Sequence, residues 1–441
     1  MRFHTSFRVE KDIIIGFLLV ILAGAFLLWL SNNYLYHMPL GIIDALFIST
    51  SGVCVTGLSP VDISTNLGFL TQLILLALIQ IGGLGVMTAM MLIPIATGRR
   101  IGLKGRIFFL GELGVNGVEG AVKLFYTVIK FTLFFEGLGM LSLFIGFLCC
   151  GVDISKSIYY AFFHSVSAFC NAGFSPCPGG LRSYCMTIIV PGTIMLLIVL
   201  GGIGFPVFAE CADCVKNKKK LSLYPRLVLI VTLVLIISGA AFILFSDWST
   251  AFKNMPVWAK AWNALFASIT TRTAGFDTVS PASFSGLGKF LMIILMFVGA
   301  SPASTGGGVK TTTLGVIAVS VWNELHSRQH TSMLKRELSQ RTERRAVSIM
   351  FLFILTIFLS SLLLTITENK SFVSLLFEIT SALGTVGLSL GITADLSNAG
   401  KLLITLLMFW GRVGLYSFIS IILTADDGTD IRYPSSYIPL G

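Results

Sequence analysis

The sequence predicts an all-α polytopic membrane protein made of four parallel helix–loop–helix repeats, that is, eight transmembrane helices plus four short re-entrant helices. Three observations predict it. Of 441 residues, 55% are hydrophobic and only 12% charged, whereas soluble domains carry roughly 25% charged residues. Apolar runs long enough to span a bilayer recur along the chain. Two glycine-containing motifs recur four times at nearly fixed separation.

The first repeat opens with Ile13 to Leu30, 18 residues without a charge. This run is longer than the ~7–15-residue apolar region of a signal peptide, and no small-residue cleavage site stands clearly after it, so it reads as a first membrane helix. First helices are expected at 13–30, 124–150, 227–245 and 346–366, and second helices at 69–96, 186–210, 289–325 and 400–424. Between each pair lies an apolar stretch of about 12 residues, the length of a buried or re-entrant segment rather than a span. The repeats are bounded at 1–97, 121–215, 226–325 and 346–425, followed by a cytoplasmic tail at 426–441. The short stretches resemble one another. Residues 45–58, 161–174, 264–276 and 375–388 each run from an apolar start through a small hydroxyl residue to one glycine, then Leu or Phe. Those glycines, Gly57, Gly173, Gly275 and Gly387, are 116, 102 and 112 residues apart, and the third copy is one residue shorter. A second glycine motif begins 25, 28, 24 and 24 residues later, at Gly82, Gly201, Gly299 and Gly411. Two motifs at matched spacing, four times over, indicate duplication. The second motif by itself fits glycines that merely let helices pack closely equally well.

A net charge of +10 would suggest nucleic acid in a soluble protein. Here its placement gives topology instead, and no nucleic-acid role is expected. Basic clusters follow the first three repeats: Arg99, Arg100, Lys104, Arg106 and Lys123; Lys216, Lys218, Lys219, Lys220 and Arg226; and Arg328, Lys335, Arg336, Arg341, Arg344 and Arg345. The basic side is cytoplasmic, so a multi-pass protein of the plasma (inner) membrane with both termini inside is expected. Each unit crosses twice and its short loop returns to its own side, so all four units point the same way. Inverted repeats would need an odd number of crossings. The eight cysteines form no disulfide framework. Cys211 and Cys214 have metal or redox spacing but no second Cys/His pair nearby, and Cys177 and Cys185 share one external loop and could pair.

Non-helical backbone at membrane depth is tolerated only where it is buried in protein or lines a wet cavity. Four such loops around one axis create rings of backbone carbonyls that can replace the hydration shell of a monovalent cation. Glycine permits the dihedrals this needs, and each short helix aims its partly negative C-terminus at the axis. The loops share no ring of carboxylates, which favours selection by carbonyls. His164, Asp44 and Glu378 precede the loops and read as supports for their geometry.

With Val55-Thr-Gly-Leu58, Ile79-Gln-Ile-Gly-Gly-Leu-Gly85, Phe163-His-Ser-Val-Ser-Ala-Phe-Cys-Asn-Ala-Gly-Phe174, Thr271-Arg-Thr-Ala-Gly-Phe276, Gly384-Thr-Val-Gly-Leu388 and Ile431-Arg-Tyr-Pro434, essentially the whole chain resembles the Trk/Ktr/HKT family of potassium transporters, most closely its KtrB-type membrane subunits. The resemblance implies helix–pore-loop–helix repeats in pseudo-fourfold symmetry around one pore per chain, with potassium as the transported ligand and no cofactor in this chain. It implies a filter of Cys54, Val55, Thr56 and Gly57; Cys170, Asn171, Ala172 and Gly173; Arg272, Thr273, Ala274 and Gly275; and Gly384, Thr385, Val386 and Gly387. A serine at the first glycine goes with sodium in the family, so Gly57 implies potassium. Homodimers within membrane lipid are implied, seated on a cytosolic ring of KtrA-type nucleotide-binding subunits that gate in response to ATP or ADP. Two features depart from the family pattern: Cys54 and Cys170 stand where Thr, Asn or similar residues are frequent, and Pro302 with Gly306, Gly307 and Gly308 looks closer to Trk-type loops. Arg272 is expected to leave only its carbonyl near the ion, its side chain turned into protein.

The third second-helix, 37 residues if continuous, would be about 55 Å long, against a hydrocarbon core of about 30 Å. Its middle carries Gly299, Ser301, Pro302, Ser304, Thr305, Gly306, Gly307, Gly308 and Lys310, a composition that disfavours a straight helix. A loop in or beside the pore is expected, and the resemblance implies that it is an intramembrane gate. Lys310 and Arg412 are cations at membrane depth and hence functional candidates: Arg412 to hold the loop by its carbonyls, Lys310 to repel cations. The plain alternative is two structural cations paired with Asp44, Glu136 or Glu378. A sodium- or proton-coupled secondary transporter is the competing function. With five histidines and no HExxH-type motif, an enzyme is not expected.

Overall fold

The structure, a computed structural model, describes residues 2–85, 121–218, 220–327, 331–333 and 336–414. The basic loop at 99–106 and the tail at 426–441 lie outside them. The first repeat contains α1 (Arg2–Leu30), α2 (Ile42–Val53) and α3 (Phe69–Leu84). The second contains α4 (Ala121–Cys149), α5 (Ile154–Phe169), α6 (Ile189–Ile203) and α7 (Phe205–Asn217). The third contains α8 (Leu223–Asp247), α9 (Val257–Thr270), α10 (Gly286–Phe297) and α11 (Thr311–Leu325), followed by a small antiparallel hairpin of β1 (Ser332–Met333) and β2 (Arg336–Glu337). The fourth contains α12 (Gln340–Thr367), α13 (Phe372–Leu383) and α14 (Asn398–Val413).

Among the described residues, four helices are long and apolar enough to cross a membrane, and they lie in α1, α4, α8 and α12, the first helix of each repeat. They expose Leu22 and Phe26, Leu133 and Phe134, Leu233 and Phe242, and Phe351 and Phe358, side chains that suit contact with lipid rather than water. Among the described residues the second helices are shorter than the runs expected at 69–96, 186–210, 289–325 and 400–424. The second helices stop after 16, 15, 12 and 16 residues. In the first, second and fourth repeats the last glycine of the motif is the reason: Gly85, Gly204 and Gly414 have φ of 87°, 99° and 94°, left-handed values that end a right-handed helix; the third ends at Phe297, before its loop. At Gly204 the chain bends by 92° between α6 and α7. An apolar run continues through Gly204, so hydropathy does not register the break.

Two kinds of contact, each found in three of the four repeats, join the helices of a repeat. A polar side chain at the end of the first helix accepts from the backbone at the start of the second. Asn32 Oδ1 accepts from Gly68 N at 3.1 Å, Asp247 Oδ1 from Ser285 N at 2.6 Å, and Glu368 from Ser397 N at 3.2 Å. Such acceptors satisfy the orphan N–H groups of a helix N-terminus and suit its positive end. Deeper in, the first glycine of the second motif lies against the last carbonyl of the short helix: Gly82 on Val53 O, Gly201 on Phe169 O and Gly411 on Leu383 O. A Cβ there would overlap the oxygen, so glycine is required by close approach. Packing also joins neighbouring repeats. Phe47, Leu75 and Ile79 of the first share one buried cluster with Ile379, Ile404 and Leu407 of the fourth.

Asp247 is fully buried and also accepts from Ser246 Oγ and Thr250 Oγ1. Asp247→Ala should cost roughly 2–3 kcal/mol by leaving these donors unmatched, seen as a lower thermal midpoint of the purified chain in detergent.

Candidate functional site

The four short helices α2, α5, α9 and α13 end beside one another, and the way they end shapes the segments that follow. After α2, Val55 N donates to Gly52 O (3.1 Å) and Thr56 N to Ser51 O (2.8 Å). The same pair of bonds recurs after α5, from Asn171 to Ala168 and Ala172 to Ser167, and after α13, from Thr385 to Ala382 and Val386 to Ser381. This is the Schellman ending, which places one residue in the left-handed region. Glycine usually takes that position. Here it is Val55 (φ 56°), Asn171 (φ 61°) and Thr385 (φ 51°). The shorter third copy uses other bonds, Arg272 N to Ile269 O and Ala274 N to Thr270 O, and its left-handed residue is Thr273 (φ 74°).

Two residues further on, Gly57, Gly173, Gly275 and Gly387 are left-handed again, with φ of 101°, 71°, 77° and 91°. Thr56, Ala172, Ala274 and Val386 lie between and are not left-handed. Alternating hands turn successive peptide groups to the same side. The segments meet in cyclic order. A Cβ on Gly57 would lie 2.5 Å from Ala172 O, one on Gly173 2.6 Å from Ala274 O, and one on Gly275 2.6 Å from Val386 O. One on Gly387 would overlap Thr56 O, which closes the ring. Each segment is braced by the hydroxyl near the end of its own short helix. Ser51 and Ser381 accept from Gly57 N and Gly387 N at 3.0 and 3.1 Å. Ser167 and Thr270 donate to Phe174 O and Phe276 O at 2.9 and 2.6 Å.

Cys54, Cys170, Arg272 and Gly384 precede the left-handed residues. Cys54 is wholly buried. Cys170 Sγ reaches Gln80 Oε1 at 3.6 Å, and Gln80 Nε2 reaches Glu136 Oε2 at 3.4 Å. Arg272 turns outward from the ring. Its guanidinium lies 3.4 Å from Thr232 Oγ1, in a narrow cavity between α6 and α8. The three candidate supports also have partners: His164 Nε2 with Ser175 Oγ (2.9 Å), Glu378 with Ser389 (2.8 Å) and Thr393, and Asp44 with Lys401 (2.7 Å). His164 and Glu378 thereby tie the outer end of a segment to its short helix. Cys177 and Cys185 are both free thiols.

The break in the third repeat is a loop between α10 and α11 that makes a full circuit and brings Val298 and Val309 side by side in parallel. Gly299 N donates to Val309 O (2.9 Å) and Ala300 N to Gly307 O (3.2 Å). Ser301 Oγ lies 3.0 Å from Thr311 Oγ1, and Ser304 Oγ donates to Ser301 O at 2.6 Å. The second and fourth repeats, together with Tyr224 and Lys310 of the third, hold the loop in place. Ser301 N and Thr305 N donate to Gly202 O and Gly201 O at 3.1 and 3.2 Å. Pro302 O accepts from the Tyr224 hydroxyl at 3.0 Å. Arg412 of α14 donates to Thr305 O and to Gly82 O, and Lys310 Nζ donates to Gly306 O at 2.7 Å. Two cations thus grip consecutive loop carbonyls. The loop touches the ring directly: a Cβ on Gly306 would overlap Thr273 Oγ1, one on Gly307 would lie 2.5 Å from Thr385 Oγ1, and one on Gly308 3.2 Å from Gly384 O.

The sequence had singled out the ring glycines, the loop and both cations. The resemblance also placed Val55, Asn171, Thr273 and Thr385 in the filter, but nothing in the sequence marked them as left-handed, since of the four only asparagine favours that region. Gln80 also escaped notice; its signal was a polar side chain in the otherwise apolar run before Gly82.

Residues 11–426 match the family described as TrkH, cation transport protein. The chain is 36% identical over 439 residues to the Ktr system potassium uptake protein B of Bacillus subtilis, covering 99% of this chain and 97% of that protein. It is 32% identical to the potassium/sodium uptake protein NtpJ of Enterococcus hirae, over 97% of this chain and 96% of the relative. The crystal structure of the potassium transporter TrkH from Vibrio parahaemolyticus has the same fold, with a TM-score of 0.74 over 94% of this chain and 84% of that one, at 18% identity. On this evidence the chain belongs to the TrkH family of cation transport proteins.

Proposed function

We propose that the chain takes up potassium across the plasma membrane through a channel-like pore on the axis of the ring, selects it with the backbone carbonyls of four filter segments, and gates it with the 298–310 loop. The observation that carries this reading is the closed ring, in which each glycine faces a carbonyl-bearing residue of the next segment. Alternating left-handed residues line up successive carbonyls, and such groups replace the water of a monovalent cation. Four short helices end at the ring with their C-termini, which favours a cation there. The four helix–pore-loop–helix units then act as parallel repeats in pseudo-fourfold symmetry. The basic clusters put both termini in the cytoplasm.

In this reading the loop lies across the pore below the filter, held by Arg412, with the Lys310 charge beside the path. Relatives named for a Ktr system support a regulatory partner. We assign that role to a cytosolic nucleotide-binding ring beneath a homodimer of this chain, docked on the basic cytoplasmic loops. Potassium uptake in a transport-deficient host, with and without that subunit, tests the assignment. The relative named for potassium and sodium keeps a coupled transporter in view. A reversal potential that follows the potassium gradient alone supports the pore, and one that shifts with sodium or protons supports coupling.

Gly57 has a φ of 101°, where a serine costs roughly 1–3 kcal/mol in backbone strain. Gly57→Ser should lower the potassium-to-sodium permeability ratio in reconstituted vesicles about tenfold. An unchanged ratio would remove Gly57 from the selecting ring. Gly299 and Val309 are already hydrogen-bonded neighbours, so residues 300–308 can be deleted with little rearrangement of α10 and α11. The deletion should raise potassium flux in the absence of any partner. Unchanged flux would mean that the loop is no gate.

A further inference from the structure

The loop is hydrogen-bonded to the ring as well as packed beneath it. Gly307 N donates to Thr385 Oγ1 at 2.9 Å, and both residues are buried. Thr385 is the left-handed residue of the fourth segment, at φ 51°. Threonine is β-branched and disfavoured in that region, so the conformation persists only where its surroundings impose it. One restraint is the helix ending, through Thr385 N to Ala382 O. The loop supplies another, through the side chain. The first segment differs, because Val55 at the same position has no hydroxyl to offer. In the third, Thr273 Oγ1 lies 3.4 Å from the Asn171 side-chain amide and is packed by Gly306.

We infer that Thr385 is a latch that couples the seating of the loop to the shape of the fourth filter segment, so that loop position sets ion discrimination as well as passage. The inference rests on the reading of the loop as the gate. With the loop seated, the buried Gly307 N–H has its acceptor and the Thr385 side chain is fixed. With the loop withdrawn, that bond is lost and the left-handed backbone keeps one restraint fewer. Thr385 is therefore a positioning residue whose hydroxyl acts through the loop.

The test uses the full chain in reconstituted vesicles, with potassium flux and the potassium-to-sodium permeability ratio as readouts. Thr385→Val keeps the shape and the β-branching but removes the acceptor. Valine already occupies the corresponding left-handed position as Val55, so the backbone tolerates it. Thr385→Ser keeps the hydroxyl. T385V should raise flux without an activating partner about tenfold, because a buried N–H of the seated loop loses its partner. It should also lower the permeability ratio, and T385S, which keeps the acceptor, should fall between T385V and the parent chain in both readouts. With residues 300–308 deleted, T385V should add nothing to either readout. The latch is overturned if T385V and T385S behave alike in the intact chain, or if T385V lowers the ratio equally with and without the loop. Deletion that raises flux while T385V leaves it unchanged sinks the latch and keeps the gate. Deletion without effect on flux sinks both.

Discussion

At the centre of this chain, the Cα of a glycine in each segment abuts a carbonyl oxygen of the next. That contact leaves no room for a Cβ at Gly57, Gly173, Gly275 or Gly387, and the surroundings inherit the constraint. The segments converge only if the short helices end almost on one another. Those helices reach that position only if the second helices pass close to their last carbonyls, which requires Gly82, Gly201 and Gly411. The loop in turn reaches the ring through Gly306, Gly307 and Gly308. Small residues are thus demanded in three successive layers, each because the layer inside it is tight.

The polar groups follow the same geometry. Backbone away from water must find partners. The hydroxyls of Ser51, Ser167, Thr270 and Ser381 bond to groups in or just beyond the ring segments, and Arg412 and Lys310 bond to carbonyls of the loop. Asp44, Glu136 and Glu378, the candidate partners for those two cations, all have other partners, with Glu136 accepting from Gln80 Nε2 at 3.4 Å. Asp44 pairs with Lys401, and Glu378 accepts from Ser389 and Thr393. Arg412 thereby becomes a bridge between two repeats and the loop.

Much of this was legible in the sequence, for reasons that can be named. Gly57 and its counterparts stand out because a glycine at fixed distance from a non-spanning apolar stretch has few explanations. The break at 299–310 is announced by proline and four glycines within one membrane segment. Other features are silent. Val55 and Thr385 are left-handed only because a helix ending and tertiary contacts force them, and their residue types suggest the opposite. The end of α6 is hidden because Gly204 sits inside a continuous apolar run. The bonds of Asp247 and Glu368 to second-helix N-termini join residues far apart in sequence, so no local pattern reveals them.

The closure of the first repeat on the fourth has a temporal side. Asp44 pairs with Lys401 across 357 residues, and Arg412 reaches Gly82 O across 330. Contacts of such separation form only after most of the chain exists. During synthesis the first three repeats can insert and pack locally, but they enclose nothing, since an arc of three segments still opens on its missing side. With the ring as the proposed pore, the order of assembly protects the membrane from an unselective hole: passage and discrimination would come into being together, when the last repeat arrives.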